Sequence, residues 1–342
     1  MSLPTLDARP THKALPLLRS ELSRITHRRL FRVLALLLLG GIAFVSTIVF
    51  FVHSPETGWS DERVLQEQAT AQASWEACVA SIPSDKEPER RCGQAPAEQP
   101  PNRFNYGADD RYHAYQILPI VILGVCIAAS AIAFIMGASA GGAEWSSRSM
   151  TLQLLFEPRR LRLLIVKWVG LSITTGLLAA GAILLGLAFG AVTASLRGTW
   201  DPSYSEFEIV HDELGQTLLY MGLRGLVLVV IACTIGYAIA MLVRNTGASL
   251  GVAFVYFVFV ENVVRFALLR YGAQPFLLAE NSVALLVPGG IPVIERIEVG
   301  QDLSGGEVTM QLTNLRAFLT LLGYTALLAV PAGWSFSRRD VG

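Results

Sequence analysis

Two serines stand in the spacing of a nucleophile elbow, Gly137-Ala138-Ser139-Ala140-Gly141 and Gly247-Ala248-Ser249-Leu250-Gly251. In a G-x-S-x-G arrangement the serine attacks a carbonyl once a neighbouring base, normally histidine, takes its proton. All five histidines, His12, His27, His53, His113 and His211, lie outside the apolar runs that hold these serines. Each motif is equally a G-x-x-x-G, the pattern that lets two helix backbones approach closely. We read both as packing motifs, with Gly186 and Gly190 as a third pair. No two histidines stand at the helical ligand spacing of a zinc hydrolase. Phosphate-loop chemistry needs a lysine directly after glycine, and none of the three lysines, Lys13, Lys86 and Lys167, has that neighbour. The chain is therefore not expected to be an enzyme, to bind a metal, or to hold ATP by itself.

Charged groups inside apolar runs are the next candidates, because such groups are costly in lipid and default to functional roles. Arg224, Glu261, Arg265 and Arg270 qualify, and all fall towards the ends of their runs. There snorkelling or mutual pairing suffices, so ion coupling has little support. Arg224, Glu261 and Asn262 are kept as candidates for an outer gate, with structural pairing as the alternative.

The elements that position these residues follow from composition. Of 342 residues, 52% are hydrophobic and 16% charged, against roughly 25% charged in soluble domains. Uncharged runs of about 18 residues or more are what a helix needs to cross a ~30 Å hydrocarbon layer. An all-α membrane protein with six spans is expected: 31–52, 116–143, 168–196, 216–243, 245–264 and 315–337. The fifth run is short and meets Glu261, so a tilted or broken helix is expected there. Residues 271–288 are apolar but interrupted, which suits a re-entrant or interfacial segment within 265–314. Residues 292–299 and 307–312 flank a Gly/Ser/Asp turn and read as a hairpin. The first run is expected to remain as an anchor rather than be cleaved as a signal peptide.

Loop charge sets the expected orientation. Residues 1–32, 144–167, Arg244 and 338–342 hold 15 Lys/Arg and 5 Asp/Glu, while 53–115, 197–215 and 261–316 hold 11 and 22. An excess of basic residues marks the cytoplasmic side, so both termini are expected there. Within the 1–30 tail, Leu15, Leu18, Leu22 and Ile25 recur at helical spacing with Arg19, Arg24, Arg28 and Arg29 largely between them. That pattern reads as an interfacial helix whose arginines face anionic headgroups. Cys126 and Cys233 fall mid-span, whereas Cys78 and Cys92 share the large external loop 53–115. In an oxidising compartment the latter two form a disulfide, and closing a loop of ~15 residues contributes about 3 kcal/mol. Two unrelated thiols are the alternative.

The cytoplasmic loop 144–167 is the most informative segment. Ser146 or Ser147 caps a short helix carrying Met150, Leu154 and Leu155, and Pro158 stops it. Apolar residues on such a helix dock in a partner's groove or pack beneath their own bundle. Its residues Gly142, Glu144, Arg148, Ser149, Met150, Leu154, Leu155, Pro158, Arg162 and Lys167 resemble, in order, the coupling loop of the type-2 ABC-transporter permeases. The basic helix at 14–30, Glu261-Asn262 and the terminal Phe336-Ser-Arg-Arg-Asp340 are similar to further features of that family. The long 53–115 loop departs from its usual short connection.

The resemblance implies a permease subunit that pairs with a second copy or close relative and rests on a cytosolic ATPase subunit. The partner, not this chain, would hold ATP and Mg, and Glu144, Trp145, Arg148, Met150, Leu154 and Leu155 would make the contact. Export across the cytoplasmic membrane by alternating access is the family's usual action. The lipid membrane is an expected partner and nucleic acid is not. An ion-coupled transporter and a non-transporting assembly or sensor subunit are the competing readings. Lysine-poor, arginine-rich usage points to a bacterial genome. No residue pattern identifies the substrate.

Overall fold

The structure, a computed structural model, describes residues 14–55, 61–81, 92, 111–146, 149, 153, 159–201, 213–267, 274–299 and 305–338. The fold is helical. Among the described residues, six helices are long and apolar enough to cross a membrane: Arg29–Val52, Ala114–Ser146, Arg160–Arg197, Leu214–Val243, Thr246–Val263 and Asn314–Arg338. They are called spans one to six below. A helix α1, Ala14–Thr26, precedes them.

The spans exceed the uncharged runs because a helix does not stop where its first charge appears. Span three starts at Arg160, so Arg160, Arg162 and Lys167 lie on its first turns rather than in a loop before it. Span four ends in a left-handed Arg244 (φ 59°), whose backbone N–H donates to the Ala240 carbonyl. Asn245 then caps span five, its side chain accepting from the Ala248 N–H. This two-residue turn reverses the chain without a loop.

The chain divides into two compact units. The larger comprises Met1–Phe44, Pro119–Leu187 and Phe207–Gly342. Its core is built on close helix approach. A Cβ at Gly137 would collide with the Cys233 carbonyl, one at Gly236 with the Phe134 carbonyl, and one at Gly142 with the Thr246 backbone. Spans two and four therefore meet backbone to backbone, which the glycines at 137 and 236 permit. After span five come a 3-10 turn, Gln274–Phe276, and a short helix α2, Leu278–Leu286, whose Asn281, Ala284, Leu285 and Leu286 are buried. Asn314, at the start of span six, donates to the Ala284 and Val287 carbonyls at 2.6 and 2.7 Å, satisfying the C-terminus of α2. Strands β1, Ile291–Val299, and β2, Gly305–Leu312, pair antiparallel with Ile291 opposite Leu312.

The smaller unit comprises Val45–Leu118 and Ala188–Glu206. A helix α3, Asp61–Ala80, is tied by a Cys78–Cys92 disulfide. Tyr112–His113 pairs in parallel with Gly198–Thr199. Arg197 stacks 4.3 Å over the Phe50 ring and donates to the His53 carbonyl at 3.0 Å. The buried Tyr112 ring packs edge-on to His53.

Candidate functional site

Five ionisable side chains meet where span two ends and span three begins. Glu144 lies on the last turn of span two, Lys167 on the second turn of span three, and Glu21 and Arg24 on α1, with Arg28 just beyond it. Lys167 Nζ donates to Glu144 Oε1 at 2.8 Å and to Glu21 Oε1 at 3.4 Å. Arg24 Nη2 and Arg28 Nη2 reach the same Glu144 oxygen at 2.9 and 3.2 Å. Arg24 Nη1 also reaches Glu21 at 3.3 Å. Three cations thus converge on one carboxylate oxygen, while Glu144 Oε2 has no hydrogen-bond partner among the described residues.

Burial makes this arrangement demanding. Lys167 is 3% exposed and Glu144 4%, and a charge so placed is tolerated only with well-placed partners. Glu21 follows from helical spacing, since residues 18, 21 and 25 share a face of α1. Leu18, Glu21 and Ile25 lie 3.6–3.7 Å from where a Cβ at Gly170 would sit, so α1 packs along span three. The headgroup-facing reading of α1 therefore needs correction for two residues. Arg24 and Arg28 turn inward to Glu144, while Arg19 and Arg29 remain exposed.

Trp145, the next residue, ties two further helix ends. Its indole N–H donates to the Met241 sulfur at 3.4 Å, its ring stacks edge-on to Phe336, and Arg244 lies 4.3 Å above its face. Residues 144 and 145 thus touch α1 and spans three, four and six. Of the other expected contact residues, Arg148, Met150, Leu154 and Leu155 lie outside the described residues, as does the capping expected of Ser147. Ser149 donates weakly to the Glu144 carbonyl at 3.5 Å.

The outer-gate candidates do not form one cluster. A π-helical segment, Tyr256–Val260, interrupts span five just before Glu261. Asn262 Nδ2 donates to the Phe257 and Val258 carbonyls at 2.9 and 3.2 Å, covering backbone that the widened turn loosens. Glu261 is buried and accepts from the Ala279 N–H, so it caps the first turn of α2 from another helix. Arg265 pairs with Glu280 at 2.9 Å. Arg224 is half-buried and has no ion pair among the described residues.

Among the described residues the two G-x-S-x-G serines bond only locally. Ser139 Oγ donates to the Met136 carbonyl and Ser249 Oγ to the Thr246 carbonyl. Among the described residues neither has a histidine partner, and no group of three metal-ligating side chains occurs.

A family model described as ABC-2 family transporter protein matches residues 16–341. The chain belongs to that family. It is thus a multi-pass membrane subunit of an ABC transporter, a transport component. No curated protein matches the chain. The match takes in α1 from Pro16 onward, both halves of the Glu144 cluster and all six spans.

Proposed function

We propose that this ABC-2 subunit is an exporter permease that works as a dimer on two cytosolic ATPase subunits. ATP and Mg are held by the ATPases, and both termini face the cytoplasm with them. The observation that carries this reading is the convergence on Glu144 and Trp145. Directly before the loop 147–158, these two residues are bonded to α1 and the ends of spans three, four and six. A push on that loop reaches four elements at once, so they move as a body. ATPase closure would then tilt the bundle and alternate access to the two membrane faces.

In this reading Arg148, Met150, Leu154 and Leu155 supply the ATPase contact and Glu144 and Trp145 transmit it. Arg224, Glu261 and Asn262 belong to the outer gate, with Glu261 acting through α2. The charge partition of the loops supports the orientation. The test is affinity purification of the tagged chain from its native membrane in mild detergent. A stoichiometric ATPase with a phosphate loop is expected, lost when residues 147–155 are replaced by a Gly/Ser linker of equal length. A homo-oligomer without ATPase, from membranes in which other ABC complexes survive, would overturn the proposal.

A further inference from the structure

Spans three, four and six enclose a cavity of about 310 Å³, within the range that holds small ligands, ~300–1,000 Å³. Its wall on span three is Leu164, Ile165 and Trp168, and on span six it runs from Leu322 to Gly333. Eleven residues of helix separate those last two, making a slot roughly 16 Å long. Ile165 is 54% exposed and Leu322 45%, so the slot opens sideways, towards the hydrocarbon that surrounds a span. Alanines 326, 329 and 332 and Gly333 keep the span-six wall low.

The wall offers little to water. Thr234 Oγ1 donates to the Val230 carbonyl and accepts from the Trp168 indole, each at 2.7 Å. Thr325 Oγ1 donates to the Leu321 carbonyl at 2.8 Å. The Tyr237 hydroxyl has no hydrogen-bond partner among the described residues, but its charged neighbours are Glu144, Glu21 and Arg28, so it belongs to that cluster and not to the slot. A stable water needs two to four partners, so the slot suits an apolar chain.

The charge at one end specifies the occupant further. The cavity lies against the first turns of span three and the last turns of span six. Those helix ends carry Arg160 and Arg162, and Arg338 stacked 4.9 Å over the Trp334 ring. Cations from two helices therefore stand at the same end of an apolar slot, which fits a phosphate above a tail. We propose that the cavity binds one anionic phospholipid. An acyl chain fills the slot, and the phosphate lies by Arg160, Arg162 and Arg338. The lipid so placed wedges span six against spans three and four.

The test uses the full-length chain, purified and delipidated in detergent, titrated with phosphatidylglycerol or with phosphatidylcholine of the same acyl chains. Thermal unfolding and native mass spectrometry are read in parallel. Phosphatidylglycerol should raise the unfolding midpoint and give a one-lipid adduct that phosphatidylcholine gives weakly. Ala329→Phe, which fills the slot, should abolish both effects. The double variant Arg160→Gln/Arg162→Gln should weaken phosphatidylglycerol binding roughly tenfold or more, the scale expected for two cations at an anionic surface. It also carries the test if Ala329→Phe does not fold. Equal responses to the two lipids, no response to either, or an unchanged response in both variants would overturn the proposal.

Discussion

Glu144 carries its charge on terms that predict the outcome of substitution. Removing Lys167 leaves Arg24 and Arg28 on the same oxygen, yet it deletes the most buried donor. Breaking a buried pair costs ~3–5 kcal/mol, and we expect Lys167→Ala near 3 because two cations remain. Arg24→Ala should cost much less, since Arg24 is about one-third exposed and solvent screens it. Both are measured as shifts in unfolding midpoint of the detergent-solubilised chain. Similar losses for the two variants would show that Lys167 is not the principal partner. At the other face, Asn262→Ala should cost ~1 kcal/mol, the scale of a lost side chain–backbone hydrogen bond. Glu144 was legible in the sequence through its place after Gly142, but its partners were not. They lie 120 residues earlier for Arg24 and 23 later for Lys167, and charge spacing within one segment carries no information about pairing between segments.

Among the helices, the contrast between Gly137 and Ser139 separates packing from chemistry. Gly137→Val places atoms against the Cys233 carbonyl, and overpacking of this kind costs ~1–3 kcal/mol. Ser139→Ala removes a hydroxyl bonded to the Met136 carbonyl of its own helix and should leave both the unfolding midpoint and transport unchanged. A loss of function in Ser139→Ala at normal stability would revive a nucleophile. The six spans were readable because lack of charge over 18 or more residues is a direct consequence of the hydrocarbon thickness. The early start of span three was not, because Arg160 and Arg162 are compatible with a helix or with the loop before it. Helix α1 was readable from the period of its leucines. The inward turn of Arg24 and Arg28 depended on Glu21, Glu144 and Gly170, which only the packed structure brings together.

For the whole molecule, the division of charge between loops and the disulfide make independent statements about sidedness. A disulfide persists in an oxidising compartment. In intact cells, a membrane-impermeant maleimide should label Cys78 and Cys92 only after reduction, read as a two-label mass increase. Labelling without reduction, or none after it, would put that loop in another state or on the other side. The Cys78→Ser variant should destabilise the smaller unit by ~3 kcal/mol, the loop-closure scale for a crosslink of this length. Proteolysis of the 53–115 region is the suitable readout, because the six spans contribute nothing to that difference. The hairpin β1–β2 and the short helix α2 were foreseeable as non-spanning elements. Their attachment was not, since Asn314 and Glu261 secure α2 from two different spans.

The π-helical turn in span five amounts to one residue more than a regular helix needs over that stretch. Insertions and deletions inside a span are ordinarily damaging, because each turns everything beyond it by about 100°. Span five absorbs its extra residue in Tyr256–Val260 and delivers Glu261 to Ala279. Deleting one residue of that segment should restore a regular helix and swing Glu261 off α2. Inserting an alanine at the same point should be equally harmful. A relative that lacks the widened turn must therefore anchor α2 with a different residue, and the length of this one segment would date the change of anchor within the lineage.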